Sequence, residues 1–289
     1  MKRALAFGAI AVFVAAGLHC ARDEKSGFED EHEAGADAKV APPPPGNFVE
    51  AGTLPPRGEC EETTKQIFVF ATDKALYRFD PEKLTFTRIG TVGCPTAAGS
   101  FSMAIDRRGI AYVEFTDGHI YMVDTNTGQC VPTAFQAGQT GFELFGMGFA
   151  LNDEDPTKGE TLYVAETGLA SIDTNTFELK FLGSITAGRT ELTARGADLF
   201  GFNVVNGVVS GLDKGNGKTL VSYRTTAINA QAGFAFAHWG GDFWIFTGDE
   251  RSQVTRYQPT ENKSTVVIPD TGMLIVGAGS STCAPVKPR

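Results

Sequence analysis

A hairpin returns along this sequence at nearly even intervals, and that period limits the architectures open to it. "IYMVDTNTG" (120–128) and "ASIDTNTF" (170–177) each set an Asp-Thr-Asn-Thr run after an alternating apolar stretch. Asp and Asn side chains bond their own backbone and tolerate left-handed conformations, so such a run ends a strand in a turn. Looser copies are "ALYRFDPEKLTFTRIG" (75–90), "GVVSGLDKGNGKTLVSY" (207–223) and "QVTRYQPTENKSTVVI" (253–268). Aligned on the residue that closes the first strand of each (Asp80, Asp124, Asp173, Asp213 and Gln258), successive copies stand 44, 49, 40 and 45 residues apart. Each copy alternates, turns on polar residues, and alternates again, which is a hairpin.

A further apolar strand precedes each hairpin: "IFVFAT" (67–72), "IAYVEFT" (110–116), "TLYVAET" (161–167), "DLFGFNV" (198–204) and "DFWIFTG" (242–248). Before most of these lies a strand of small and apolar residues: "FSMAID" (101–106), "FGMGFA" (145–150), "LTARG" (192–196) and "GFAFAHW" (233–239). Four antiparallel strands per period of this length form the blade of a β-propeller. The first copy lacks its inner strand, and "MLIVGAGSS" (273–281) is an inner strand with nothing after it. The spacing therefore predicts an all-β, five-bladed propeller in which the C-terminal strand completes blade one. Closing the ring removes the exposed edges that an open array would leave.

The propeller domain spans 59–289. Ahead of it, Met1-Lys2-Arg3 and the uncharged run "ALAFGAIAVFVAAGL" (4–18) have the form of a signal peptide, too short for a comfortable membrane span. "GLHC" places Cys20 where bacterial lipoproteins carry their lipidated cysteine, so residues 1–20 read as signal and lipobox. Residues 21–58 are acid-rich, then proline-rich ("APPPPG", "LPPRG"), a composition that cannot offset its ordering entropy and serves as a tether. The expected location is the outer or periplasmic face of a bacterial envelope as a lipoprotein, with the membrane reached only through the lipid, or secretion if the leader is simply cleaved.

Export makes the remaining cysteines candidates for disulfides. Cys60 precedes the first blade's second strand and Cys283 follows the closing strand, so a Cys60–Cys283 bond would lock the ring. Cys94 and Cys130 are left as a pair, although their strand ends point toward opposite ends of their blades, which leaves this bond open. No CxxC or Cys/His spacing suggests zinc.

"AIDRRGIAYV" (104–113) followed by "DGHIYMVD" (117–124) resembles the repeats of NHL, gluconolactonase-like and quinoprotein-like propellers. "GCP" (93–95), "FSMAID", "FGMGFA" and "GAGSSTCAP" (277–285) look like a group of myxobacterial secreted lipoproteins without an assigned activity. The resemblance implies a fold and no reaction. Gluconolactonase-like propellers hold a divalent metal on inner-strand Glu, Asn and Asp. The inner strands expected here offer Ser102, Met103, Gly146, Met147, Thr193, Ala235 and Val276, with no carboxylate cluster, which disfavours a metal-dependent lactonase.

Other chemistry is sparse. Four histidines include His119 in a tight turn and His238 beside a strand end, with no HxH or HxxxH spacing, and both read as an exposed turn or a satisfied edge. Asp106 reads as a turn cap. "LNDEDPTKGE" (151–160) is an insertion whose Asn152, Asp153, Glu154 and Asp155 offer hard oxygen ligands for Ca²⁺, but the EF-hand spacing is absent and the loop reads first as solvated. The turns between second and third strands place Asp73, Asp117, Glu166, Asp249 and Glu250 on one face of the ring. A formal net charge of −9 argues against nucleic acid as a partner. The sequence points to a monomeric, non-enzymatic module that binds a protein or glycan through this acidic face, without a cofactor. An envelope-assembly component and a sugar or lactone hydrolase are the alternatives.

Overall fold

The computed structural model describes residues 60, 62–186, 188–226, 228 and 232–287. The expected leader and tether, with Cys20, lie outside these residues.

Each repeat folds into its own four-stranded antiparallel sheet. In chain order the strands are β1 (Ile67–Ala71), β2 (Ala75–Asp80) and β3 (Thr85–Thr91), then β4 (Ser100–Ile105), β5 (Ile110–Phe115), β6 (Ile120–Asp124) and β7 (Cys130–Pro132). The third sheet holds β8 (Gly146–Leu151), β9 (Glu160–Ala165), β10 (Leu169–Ile172) and β11 (Leu179–Gly183). The fourth holds β12 (Thr190–Arg195), β13 (Asp198–Asn203), β14 (Val208–Leu212) and β15 (Thr219–Arg224). The fifth holds β16 (Gly233–Trp239), β17 (Asp242–Gly248), β18 (Ser252–Gln258) and β19 (Lys263–Ile268), and β20 (Ile275–Ser280) is the last strand among the described residues. Four sheets run in chain order from their inner strand, whereas the first reads β20-β1-β2-β3. Ile67 pairs with Ser280 and Val69 with Ala278 across that junction. The fold is a five-bladed β-propeller closed by its C-terminal strand.

The repeated turns have a local cause. The Asp124 carboxylate accepts from the amides of Asn126 and Thr127 at 2.7 and 3.0 Å. Asp80 and Asp173 each do the same with the residues two and three ahead, and Asp213 accepts from Gly215. Four residues past each anchor the backbone is left-handed, with φ of 54° at Leu84, 73° at Gly128, 59° at Phe177, 75° at Gly217 and 49° at Asn262.

Between neighbouring blades lies a hydrophobic cluster, and there is one at each of the five seams. Phe70 and Met103 pack between the first and second blades, Tyr112 and Phe149 between the second and third. Tyr163 and Leu192 fill the third-to-fourth seam, and Phe202 and Phe236 the fourth-to-fifth. The closing seam is built like the others, with Phe79 edge-on to Trp244 at 5.4 Å between centroids. Burying a large side chain of this kind is worth roughly 1.5–3 kcal/mol, so the closing seam is stabilised on the same scale as the others.

The inner strands touch. A Cβ on Gly146 would lie 2.1 Å from the Thr190 carbonyl oxygen, and one on Gly277 would lie 3.1 Å from Met103. This close approach explains the small residues of the inner strands and narrows the axis of the ring.

Both disulfides form. Cys60 and Cys283 lie 5.7 Å apart at Cα, and Cys94 and Cys130 lie 5.0 Å apart. The sequence leaves the second bond open, because its strand ends point toward opposite ends of their blades. It is reachable because β7 is three residues long, so Cys130 pairs beside Val123, and the turn at Gly128 approaches Thr91 at the end of β3. Among the described residues no helix is long and apolar enough to cross a membrane.

Candidate functional site

Antiparallel order puts the second-to-third-strand turns and the links between blades at one end of the ring, where the inner strands begin. The first-to-second and third-to-fourth turns share the far end. Asp73, Asp117, Glu166, Asp249 and Glu250 all belong to the leading end. The equivalent turn of the fourth blade, 204–207, carries no acid.

These acids divide into anchored and exposed groups. Asp73 accepts from the Ala75 amide at 3.0 Å, closing its own turn. Asp117 accepts from the Thr96 hydroxyl at 2.8 Å and the His119 amide at 3.1 Å. Partial burial would raise its carboxyl, but these bonds and the His119 ring outweigh that and hold it below its ordinary value. Glu166 accepts from the Glu143 amide at 2.8 Å across the seam of the second and third blades. Asp249 and Glu250 stand exposed on the fifth blade. Asp117 and Glu166 approach the same seam, whereas Asp73 and the Asp249–Glu250 pair sit on other blades.

Beneath this rim lie two carboxyls that the sequence reading did not place. Glu191, on β12, is 1% exposed and accepts from the Ser102 hydroxyl of β4 at 3.0 Å and from the Met147 amide. Glu114, on β5, is fully buried and accepts from the Phe145 amide at 3.1 Å, while its Oε1 has no hydrogen-bond partner among the described residues. Burial pushes both well above the usual carboxylate range, and at Glu114 the charges of Glu191, Glu166 and Asp117 add to it. The expected carboxylate-free lining is thus corrected. The inner strand begins at Thr190 and not at Leu192, so its polar side, Glu191 and Thr193, turns to the axis while Leu192 and Ala194 enter the seam core.

The axis is filled by further polar contacts. Thr193 meets Ser280 at 3.4 Å, and the His238 amide donates to Thr193 at 3.1 Å and toward Ser280 at 3.4 Å. His238 is buried, contrary to the expected exposed or satisfied position, and its Nε2 has no partner among the described residues. Burial, then the Arg195 charge, lowers its pKa to about 3, so the ring is neutral. His119 is the exposed one, 3.4 Å from Asp117.

At the far end, Glu160 opens β9 and bridges three blades. It accepts from the Arg107 amide at 2.8 Å and from the Thr282 hydroxyl at 2.7 Å. Burial raises its carboxyl to about 7. Asp106 caps its turn through the Arg108 and Ile110 amides, as expected, and also grips the Arg108 guanidinium at 2.6 and 2.8 Å. In the 151–160 insertion, Asn152 accepts from Thr161 and donates to the Lys158 carbonyl, and Asp155 caps a short 3₁₀ turn through Thr157. Among the described residues no group of three or more His, Cys, Asp or Glu is disposed to hold a metal ion.

No family model and no curated protein matches this sequence. Among solved structures, the chain is similar to one in a crystal structure of a nidogen/laminin complex, at 10% identity and a TM-score of 0.48, over 74% of this chain and 97% of that one. It is also similar to a structural genomics protein of unknown function from Bacteroides thetaiotaomicron VPI-5482, at 13% identity and a TM-score of 0.47, over 71% of this chain and 55% of that one. At such identities and TM-scores neither likeness bears on function.

Proposed function

We propose that this chain is an exported propeller that binds a protein or glycan at the bacterial envelope, without catalysis, as a monomer. Lipid on Cys20 and the acidic, proline-rich tether would hold it there, in keeping with the resemblance to myxobacterial secreted lipoproteins. The carrying observation is the shared end of Asp73, Asp117, Glu166, Asp249 and Glu250 on a rigid, disulfide-closed frame. Clustered charge of one sign on a fixed surface raises the encounter rate with cationic partners and makes it salt-dependent.

A second reading, hydrolysis of a sugar or lactone, has one observation in its favour: two buried carboxyls, Glu114 and Glu191, with raised pKa. Both are at most 1% exposed, so no substrate reaches them in this conformation. An assembly role at the envelope shares the binding surface and differs only in the permanence of the complex.

The test compares the wild-type chain with a variant carrying Asp→Asn or Glu→Gln at the five acidic positions. Retention on an isolated envelope fraction should be salt-sensitive for the wild type and lost in the variant. Equal retention of both would overturn the acidic face as the contact. A Cys20→Ser chain that still labels with a fatty-acid analogue would overturn the lipid anchor.

A further inference from the structure

We propose that the far end of the third blade carries a second binding site, a groove that takes a neutral sugar chain. Two cavities of about 260 and 460 Å³ meet there, sharing Glu160 and Thr174. The first lies on the seam of the second and third blades, over Tyr112 and Phe149, and the second continues over the rim of the third blade past Ser171 and Lys180. Small-molecule sites fall at roughly 300–1,000 Å³, which the joined groove reaches.

The wall chemistry selects the ligand class. Asp106 is saturated by two amides and by Arg108, so that pair is a fixed neutral wall. The Asp173 carboxylate is engaged by the amides of its own turn. The remaining charges are matched, Arg107, Lys158 and Lys180 against Glu160, Asp173 and Glu178, so neither a polyanion nor a polycation gains from entering. Hydroxyl groups suit such a wall because each both donates to a carboxylate and accepts from an ammonium. Ser171, Thr174 and Asn152 add short polar groups of the same kind. Beneath the groove the Tyr112 and Phe149 rings, edge to face at 5.2 Å, are only 1% and 4% exposed, so they fix the seam and the ligand is recognised through its hydroxyls.

Glu160 is held in place before any ligand arrives. Its two oxygens are bound by Arg107 of the second blade and Thr282 beyond the closing strand, so little ordering entropy is lost on binding. A carboxyl raised to about 7 populates both its acid and its anionic form near neutrality, able to donate as well as accept.

This site is at the opposite end from the acidic turns and stands or falls separately from them. Calorimetric titration of the full chain with linear oligomers of glucose, mannose and N-acetylglucosamine, and with an oligouronate as the charged control, tests it. At least one neutral oligomer should bind, more tightly than the oligouronate. Thr174→Trp, which fills the junction of the two cavities, should weaken that binding by about tenfold or more, and Lys180→Ala should weaken it less. Far-ultraviolet circular dichroism and thermal melting of each variant separate lost binding from lost fold, and Lys180→Ala sits on an exposed outer-strand position where folding is unaffected. Neutralising the five acids of the leading end should leave the affinity unchanged. Binding by none of the neutral oligomers, preference for the oligouronate, or an affinity unmoved in both groove variants would overturn the proposal.

Discussion

Ser102 and Glu191 meet across the axis of the ring at 3.0 Å, although their inner strands belong to the second and fourth blades. With the Thr193–Ser280 contact it joins the inner strands of the second, fourth and first blades through buried polar groups. It also brings a buried acid within range of a second, Glu114, on which its charge acts.

The two acids set the pH dependence of stability. A carboxyl whose pKa is raised by folding binds its proton more tightly in the native state, so the native state is favoured at low pH. The advantage is lost as pH rises through the unfolded value, about 4.5, toward the folded one. Glu160, raised to about 7, acts in the same direction, whereas His238, lowered to about 3, opposes it below about pH 6.5, so three carboxyls act against one imidazole. Chemical denaturation should therefore show the unfolding free energy falling between about pH 4.5 and 7. Glu191→Gln, which keeps an acceptor for Ser102, should be more stable than wild type at pH 8 and close to it at pH 4. A wild-type chain that gains stability over this interval would contradict the assignment.

Leu84 occupies a left-handed position, at φ 54°, that other blades give to Gly128, Gly217 and Asn262. The left-handed conformation costs a branched L-residue about 1–2 kcal/mol, part of which glycine returns as lost chain entropy. Leu84 is 37% exposed, so little packing is forfeited by its removal. Leu84→Gly should raise stability by about 0.5–1 kcal/mol. The same change at Phe177 should not, because that ring is 3% exposed and packs near Tyr112. Thermal melts of the two variants check the contrast.

The Cys60–Cys283 bond spans a sequence separation of 223 residues. In the chain-entropy model such a crosslink limits the unfolded state by roughly 5 kcal/mol, more than a bond spanning 36 residues. Cys60→Ser with Cys283→Ser should lower the denaturation midpoint further than Cys94→Ser with Cys130→Ser. Equal losses would mean that the ring closure does not depend on the long bond.

Legibility followed how local the physics is. The Asp80, Asp124, Asp173 and Asp213 turns were readable because each carboxylate bonds amides two or three residues ahead, and blade number and closure followed from their spacing. The Cys94–Cys130 geometry depends on the shortness of β7 and the approach of two blades, which no single repeat encodes. Glu191 was missed and His238 misplaced for a related reason. "TELTAR" alternates polar and apolar residues as a half-solvated strand does, and only the opposing blades show that its polar side is buried against them. The turn acids at 73, 117, 166, 249 and 250 were found by their shared position, but Asp117 and Glu166 proved tied to protein donors, which side-chain type alone does not reveal.

Closure is the claim on which the rest depends, and native-state amide hydrogen exchange tests it most directly. The amides of β20 and β1 that pair Ile67 with Ser280 and Val69 with Ala278 should exchange as slowly as those joining β4 to β5 or β12 to β13, through global unfolding alone. Exchange of the β20 amides on the timescale of a fraying terminus, while the other inner strands remain protected, would contradict it.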